Sequence, residues 1–315
     1  MTVEISFGGY QGDNSVHTRG AGSLASAVER LSGGAARIKF RQNIVEDGHK
    51  ASELLSMTES GELDGCYFSS SYLANRVPEL ALFDQHFAVP SRAHAYGVLD
   101  GSLGQRLKKE IEANTGYSVM GYWDNGLRHI SSRGGRLTTP SACNGLKLRT
   151  LASDDHQRVF RALGFIPKAI DVRDLPAAVA DGTVDAQENP LTNIYNFRLH
   201  DTHRSVTMTG HLLGVALVLF NREKLESWPK HVRDAVRLAV AEATKDQRRF
   251  AEEDDVICAK ALRADGVELI ELTQDERAAF AEATRSEVEK TRNRFGADLI
   301  ALFESDIALA SASAE

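Results

Sequence analysis

The sequence lacks the marks of several large protein classes. No apolar run reaches the roughly 18 residues that a membrane-spanning helix needs. The longest, Leu212 to Phe220, has the length and β-branched content of a buried strand. Basic charge is not in excess. The formal net charge is −7 with both signs mixed along the chain, which argues against a nucleic-acid partner. Cysteine is scarce: Cys66, Cys143 and Cys258 are odd in number, widely spaced and without a C-x-x-C pair. They read as buried free thiols rather than a disulfide framework or a metal site. H-D-T-H at 200–203 and D-D-H at 154–156 lack standard ligand spacing, so neither metal nor cofactor is expected. No basic, apolar, then small-residue export signal precedes V-E-I-S-F. The chain is therefore either cytosolic or one whose export signal has been removed. The P-loop, the dinucleotide fingerprint and the G-x-S-x-G elbow are also missing. That absence carries little weight alone, because catalytic groups converge from distant positions.

What is present is an alternating α/β pattern. At 315 residues the chain suits two domains. Strand-like runs at 3–8, 38–45 and 63–68 alternate with helical ones at 23–31 and 50–60, which predicts a parallel, doubly wound sheet. A helix is expected over 93–114 and a strand over 117–123, with a turn and domain crossing at Asp124-Asn125-Gly126. Strands at 146–150, 166–170 and 184–186, with helices at 153–163 and 173–181, predict a second α/β unit. A strand over 207–220 would then lead back to the first. From Lys230 to Arg263 the stripe Val232, Ala235, Val236, Ala239, Val240, Ala243 resumes at Phe250, Val256, Ile257 and Ala261, uninterrupted by Gly or Pro. It predicts one long helix spanning both domains, or two helices broken near 252–255. A last helix is expected from Gln274 to about Phe303, followed by a frayed S-A-S-A-E tail. The domains then comprise 1–124 plus about 214–250, and about 125–213 plus about 251–315. Several chain crossings between them predict a ligand cleft that closes by hinge motion.

Two short segments suggest chemistry. Arg149 ends the strand L-K-L-R, where its planar guanidinium suits a carboxylate. Asn189 sits in an amide-rich turn after the next strand, in A-V-A-D-G-T-V-D-A-Q-E-N-P. In open α/β sheets such positions converge on one crevice. Ser69 and Ser70 follow a strand's C-terminal end in the same way. Nothing nearby pairs a nucleophile with a base, which suggests a protein that holds a small organic anion rather than transforming it.

These residues fall within a wider resemblance. S-V-H-T-R-G-A at 15–21, R-V-P-E-L at 76–80, G-Y-W-D-N-G-L-R-H at 121–129, P-S-A-C-N-G-L-K-L-R at 140–149, A-L-G-F-I-P at 162–167, D-G-T-V-D-A-Q-E-N-P-L at 181–191 and H-L-L at 211–213 cover nearly the whole chain. Together the chain resembles the solute-binding subunit of tripartite ATP-independent periplasmic (TRAP) transporters, the DctP family. The resemblance implies a periplasmic binding protein-like fold, a periplasmic monomer and a membrane permease as partner. It makes Arg149 the carboxylate anchor, Arg128 a second pocket arginine and Asn189 the pocket amide. Tyr10, Ser69, Ser70, Phe87 and His211 fall near pocket positions, with Glu188 orienting an arginine. The position that carries a ring in sialic-acid-binding members looks like Val172, beside Asp171, which argues against an identical large sugar acid. The solute is left as a C4-dicarboxylate, a hydroxy or oxo acid, or an aromatic acid stacked on Phe87 or Trp123. A soluble α/β enzyme, with Arg149 as anchor and His129 or His211 as base, is the competing reading. A ligand-presenting sensor subunit is a third.

Overall fold

The computed structural model describes residues 2–312. From the N-terminus, β1 (Val3–Gly8), α1 (Val16–Leu31), β2 (Ala36–Arg41), α2 (Glu53–Glu59) and β3 (Gly65–Ser69) follow the expected β-α-β-α-β order. β1 pairs in parallel with both β2 and β3, as crossover helices require. α1 starts well before Ser23 because Ser15 caps it, its Oγ accepting from the backbone N–H groups of His17 and Thr18. The segment 93–114 is two helices, α3 (Arg92–Asp100) and α4 (Ser102–Asn114), parted at Gly101. The Asp306 carboxylate accepts from the backbone N–H groups of Ser102 and Leu103 at 3.1 and 2.8 Å, which starts the second helix.

β4 (Tyr117–Ser132) runs through 124–126, where the sequence predicted a turn. Gly126 adopts φ +80°, and a Cβ there would stand 2.2 Å from that of Pro190. The glycine thus serves a close approach inside a strand. The chain continues through β5 (Lys147–Thr150), α5 (Asp154–Ala162), β6 (Ile166–Ala169), α6 (Leu175–Ala180), β7 (Ala186–Pro190), α7 (Leu191–Asn196), β8 (Ser205–Met208), β9 (Leu213–Asn221), α8 (Arg222–Ser227), α9 (Lys230–Ala264), β10 (Glu268–Glu271), α10 (Gln274–Arg292) and α11 (Ala297–Ala312). The strand expected over 207–220 is two, β8 and β9, interrupted around Gly210 at φ +48°. The last helix is likewise two, and Ser311 and Ala312 of the expected tail are helical; the rest of that tail lies outside the described residues.

α9 is continuous, and its 35 residues run about 50 Å at 1.5 Å each. Its buried stripe holds through Ala243 but not as expected afterwards. Val256 and Ile257 are exposed, while Ala251, Asp254, Cys258 and Leu262 face inward. Three-four spacing from Ala251 continues the face; 256 and 257 fall on the far side of the turn. All three cysteines are buried, and none is in a disulfide. Burial pushes the Cys66 and Cys143 thiols up to about 12, which keeps them unreactive. Among the described residues no helix is long and apolar enough to cross a membrane.

Contacts gather the chain into two compact units: Met1–Ser70, Lys108–Asn125 and Val215–Asp254 in the first; Ser71–Leu107, Gly126–Gly214 and Asp255–Glu315 in the second. The first holds strands in the order β2-β1-β3-β9-β4, with β9 antiparallel to β3. The second holds β4-β7-β5-β6, with β8 on β4 and β10 on β8. Residues 71–107, which the sequence reading placed with the first domain, pack here with the second. α3 lies on α11, and Arg92 pairs with Asp255 at 2.6 Å. Two apolar clusters fill the second unit, one around Leu175, Ile194 and Leu262, the other around Ile130, Phe160 and Phe280.

Candidate functional site

The A-Q-E-N-P segment is itself the strand β7, not a turn beyond one. It lies antiparallel to β4, with His129 opposite Asn189 and Ile130 opposite Glu188, and parallel to β5, with Arg149 beside Gln187. A period-two hydrophobic pattern could not reveal it, because Gln187, Glu188 and Asn189 are all buried yet polar. Their hydrogen bonds go to one another and to neighbouring strands. Gln187 Nε2 donates to Ser131 Oγ at 2.6 Å, and the Asn189 amide donates to Gln187. Asn189 Oδ1 accepts from Asn193 at 3.2 Å and from Arg128 at 3.3 Å.

Glu188 is the centre of this arrangement. The Arg128 guanidinium forks onto its carboxylate through Nε and Nη2, and Nη2 also donates to the Glu188 carbonyl at 2.7 Å. Both side chains are excluded from solvent. His156 Nε2 and His211 Nε2 stand 3.3 and 3.4 Å from the carboxylate oxygens but are poorly aligned as hydrogen bonds. Burial alone would raise the Glu188 pKa, but Arg128 and the two histidines outweigh it and hold the carboxyl well below its usual range.

His211 stacks on His86, with ring centroids 5.2 Å apart, and His86 meets His156 at 4.8 Å; Phe160 packs edge-on to all three. Burial pushes His211 down to about 4 and His129 to about 3. Burial also lowers His86 well below its ordinary value and raises Asp84, which Ser71 hydrogen bonds. Asp84 Oδ2, the Gln85 amide and His86 Nε2 are buried without hydrogen-bond partners. Of this segment the sequence predicts Phe87 as a pocket residue but not Asp84, Gln85 or His86. The available signal was a polar triplet inside the apolar run L-A-L-F-D-Q-H-F. His156, set aside with D-D-H, belongs to the same cluster; among the described residues no group of side chains could hold a metal.

Thr209 Oγ1 lies 2.7 Å from His211 Nδ1, giving the order hydroxyl, imidazole, carboxylate with Glu188. The Thr209 side chain is wholly buried and also reaches the Arg128 carbonyl at 3.4 Å, so its hydroxyl is a structural link between strands. Phe87 sits at φ +59°, its N–H donating to the His211 carbonyl, with the Arg277 guanidinium 5.3 Å over its ring. Arg128, Asn189, His211 and Phe87 are thus brought together.

Arg149, on the neighbouring strand, differs from Arg128. It is 1 % exposed, and its Nε donates to the Ile170 carbonyl at 2.9 Å. Its two terminal nitrogens hydrogen bond no described residue, and no acidic side chain pairs with it. Val172, half-buried, follows two residues after that carbonyl. The phenol of Tyr72, which the sequence reading missed, feels Arg149, Asp171, Arg128 and Glu188 together, so these charges share one neighbourhood. Burial, the largest influence, raises its pKa.

Tyr10, Ser69 and Ser70 belong to the first unit. Tyr10 packs its ring on Tyr67 and Phe68, and the Ser69 and Ser70 hydroxyls are buried without partners. Trp123 is a core residue of this unit, stacked on His17 and donating to Thr244 Oγ1 at 3.2 Å.

Comparison with known proteins follows the same lines. The chain is 28 % identical over 256 residues to the 2,3-diketo-L-gulonate-binding periplasmic protein of Escherichia coli (strain K12), covering 79 % of this chain and 76 % of that one. A TRAP periplasmic solute binding protein from Ralstonia eutropha H16, solved with bound (S)-2-acetolactate, matches at TM-score 0.90 and 26 % identity, over 97 % of this chain and 98 % of that one. One from Sulfurospirillum deleyianum DSM 6946, with bound succinate, matches at TM-score 0.89 and 27 % identity, over 96 % and 99 %. The model of the DctP family, bacterial extracellular solute-binding protein family 7, matches residues 7–294. The chain belongs to the DctP family of bacterial extracellular solute-binding proteins.

Proposed function

We propose that this chain captures a small organic acid through its carboxylate at Arg149 and delivers it, as a monomer, to the membrane permease of a TRAP transporter without altering it chemically. The observation that carries this reading is the state of Arg149: a buried guanidinium, fixed through Nε, whose outer nitrogens have no hydrogen-bond partner among the described residues. An unpaired buried cation costs several kcal/mol, which an arriving carboxylate offsets with two charge-assisted hydrogen bonds. The relatives described above are named or crystallised with small organic acids, which supports the same class of solute.

The test is a thermal-shift screen against small organic acids, neutral sugars and amino acids. At 100 times its dissociation constant a ligand adds about 2.7 kcal/mol, so the midpoint should rise by about 4 °C for a chain of this size. Arg149→Ala should lose tenfold or more in affinity while the ligand-free midpoint holds or rises, since the substitution removes an unpaired charge. An unchanged shift in the variant would remove Arg149 from the site. Recovery of the ligand chemically changed after incubation would favour the enzyme reading instead.

A further inference from the structure

We propose that Ser131 and His203 are positioning residues of the solute site: they close a one-way hydrogen-bond chain that turns the Asn189 amide so that it presents a donor, the group a carboxylate needs. The proposal rests on the receptor reading above and adds to it two residues that act through Asn189 rather than on the solute.

The chain starts at a group whose polarity is fixed. A guanidinium only donates, so the Asn189 atom 3.3 Å from Arg128 Nη2 is the oxygen. Asn193 Nδ2 donates to the same oxygen at 3.2 Å, which fills both its lone pairs. The Asn189 nitrogen is then left to donate, and one of its hydrogens goes to Gln187 Oε1. That turns the Gln187 nitrogen toward Ser131 Oγ, at 2.6 Å. Ser131 lies directly opposite Gln187 in the β4–β7 pairing, so the two side chains meet on one face. The Ser131 hydroxyl accepts from Gln187 and gives its own hydrogen to His203 Nδ1, 3.0 Å away. His203 is the terminal acceptor. Its backbone N–H is fixed on the Leu199 carbonyl at 2.9 Å, and burial brings its pKa down to about 4, so the ring is neutral at pH 7. With Nδ1 accepting, the ring proton sits on Nε2.

The Arg128 contact is long, and Nη2 also serves the Glu188 carboxylate and carbonyl. It sets the direction of the chain without holding the amide alone. The hold comes from the other side, where each bond polarises the next. Ser131, Gln187 and His203 are wholly buried and Asn189 nearly so, so bulk water does not stand in for a missing member. One amide hydrogen of Asn189 has no acceptor among the described residues. β7 also pairs with β5, where Arg149 lies beside Gln187, so this hydrogen and the Arg149 guanidinium belong to adjacent strands. An inverted amide would set its oxygen toward the solute carboxylate, replacing a charge-assisted hydrogen bond by repulsion.

Two measurements on the full chain test the proposal. The first is nitrogen-15 NMR of the histidine rings at pH 7, with the His203 signals identified by their loss in His203→Asn. The expected ring carries its proton on Nε2 and accepts a hydrogen bond at Nδ1. A proton on Nδ1 reverses the last link and overturns the proposal. The second is calorimetric titration with succinate, L-malate, acetolactate and D-erythronate. Ser131→Ala should weaken every acid that the unsubstituted chain binds by about tenfold, the weight of one hydrogen bond to a charged group, and His203→Leu by about threefold. Ser131→Thr and His203→Asn, which keep a hydroxyl and an acceptor, should restore binding. A residue that only supports the fold would lower the unfolding midpoint and leave affinity unchanged. A folded Ser131→Ala that binds as tightly as the unsubstituted chain therefore overturns the proposal and leaves the receptor reading standing. If Ser131→Ala does not fold, the His203 tautomer and the affinities of His203→Leu and His203→Asn decide the question. No binding of any of these acids by the unsubstituted chain overturns the receptor reading, and this proposal with it.

Discussion

Both units bury histidine, and they do so in opposite ways. In the first, His17 is fully enclosed and both ring nitrogens are engaged: Nε2 lies 2.9 Å from Asn125 Oδ1 and Nδ1 3.3 Å from Gln247 Nε2. Gln247 also accepts from the Asp124 N–H at 2.8 Å and donates to the Asp124 carbonyl at 2.7 Å, tying α9 to β4. Gly20 permits the approach, since a Cβ there would stand 2.8 Å from the Gln247 side chain. In the second unit, His86 stacks on His211 and meets His156 at a tilt beside Glu188, and His86 Nε2, His211 Nε2 and both ring nitrogens of His156 lack hydrogen bonds. A satisfied polar group fixes a strand and helix in place. A cluster held by charge balance keeps its groups aligned while leaving hydrogen-bonding capacity unused, and it lies around the strand that also neighbours Arg149.

The largest effect should come from the charge-balanced unit. Arg128→Met strands the Glu188 carboxylate and should cost about 3–5 kcal/mol in urea unfolding. Adding Glu188→Gln should restore much of it, because the pair is coupled. Additive losses would mean that Glu188 is balanced by groups other than Arg128.

Acidification should come next in effect per group. Burial holds His17 and His203 at about 4, His211 at about 4 and His129 at about 3, all below the ordinary 6.5. The unfolded chain binds these protons more readily than the fold does. The associated stability is therefore full above about 6.5 and drains as pH falls from there toward 4, on the order of 2 kcal/mol per histidine by pH 5. His129, His203 and His211 belong to the second unit and His17 to the first. Hydrogen exchange at pH 7 and pH 5 should show the second unit losing protection more steeply. Earlier loss in the first unit would refute that ordering. The smallest effect should be His17→Ala, which leaves Asn125 Oδ1 without its partner and should cost about 1–3 kcal/mol without altering solute affinity.

Much of the framework was readable along the chain. The β1-α1-β2-α2-β3 order follows from strand and helix periods separated by Gly-containing stops, and α9 from a stripe without Gly or Pro. Cysteines outside any disulfide follow from their spacing. Arg128, Arg149 and Asn189 stood out by position and by resemblance. Other features were hidden for physical reasons. β7 is a strand of buried polar residues, so its signal is opposite to the one that hydrophobic alternation supplies. Gly126 looked like a turn because its partner, Pro190, is remote in sequence. The packing of 71–107 with the second unit depends on Asp255, Asp306 and α11, all more than 140 residues away.

By itself, the sequence determined the order of strands and helices and which side chains have the chemistry to suit a carboxylate, because propensity and charge belong to the residues themselves and their neighbours. The tertiary structure alone decided which arginine was already neutralised. Glu188 lies 60 residues from Arg128 and 39 from Arg149, and the β4–β7 pairing places its carboxylate on the first and leaves the second open. Ion pairing depends on separation in space, and only the paired strands set that separation.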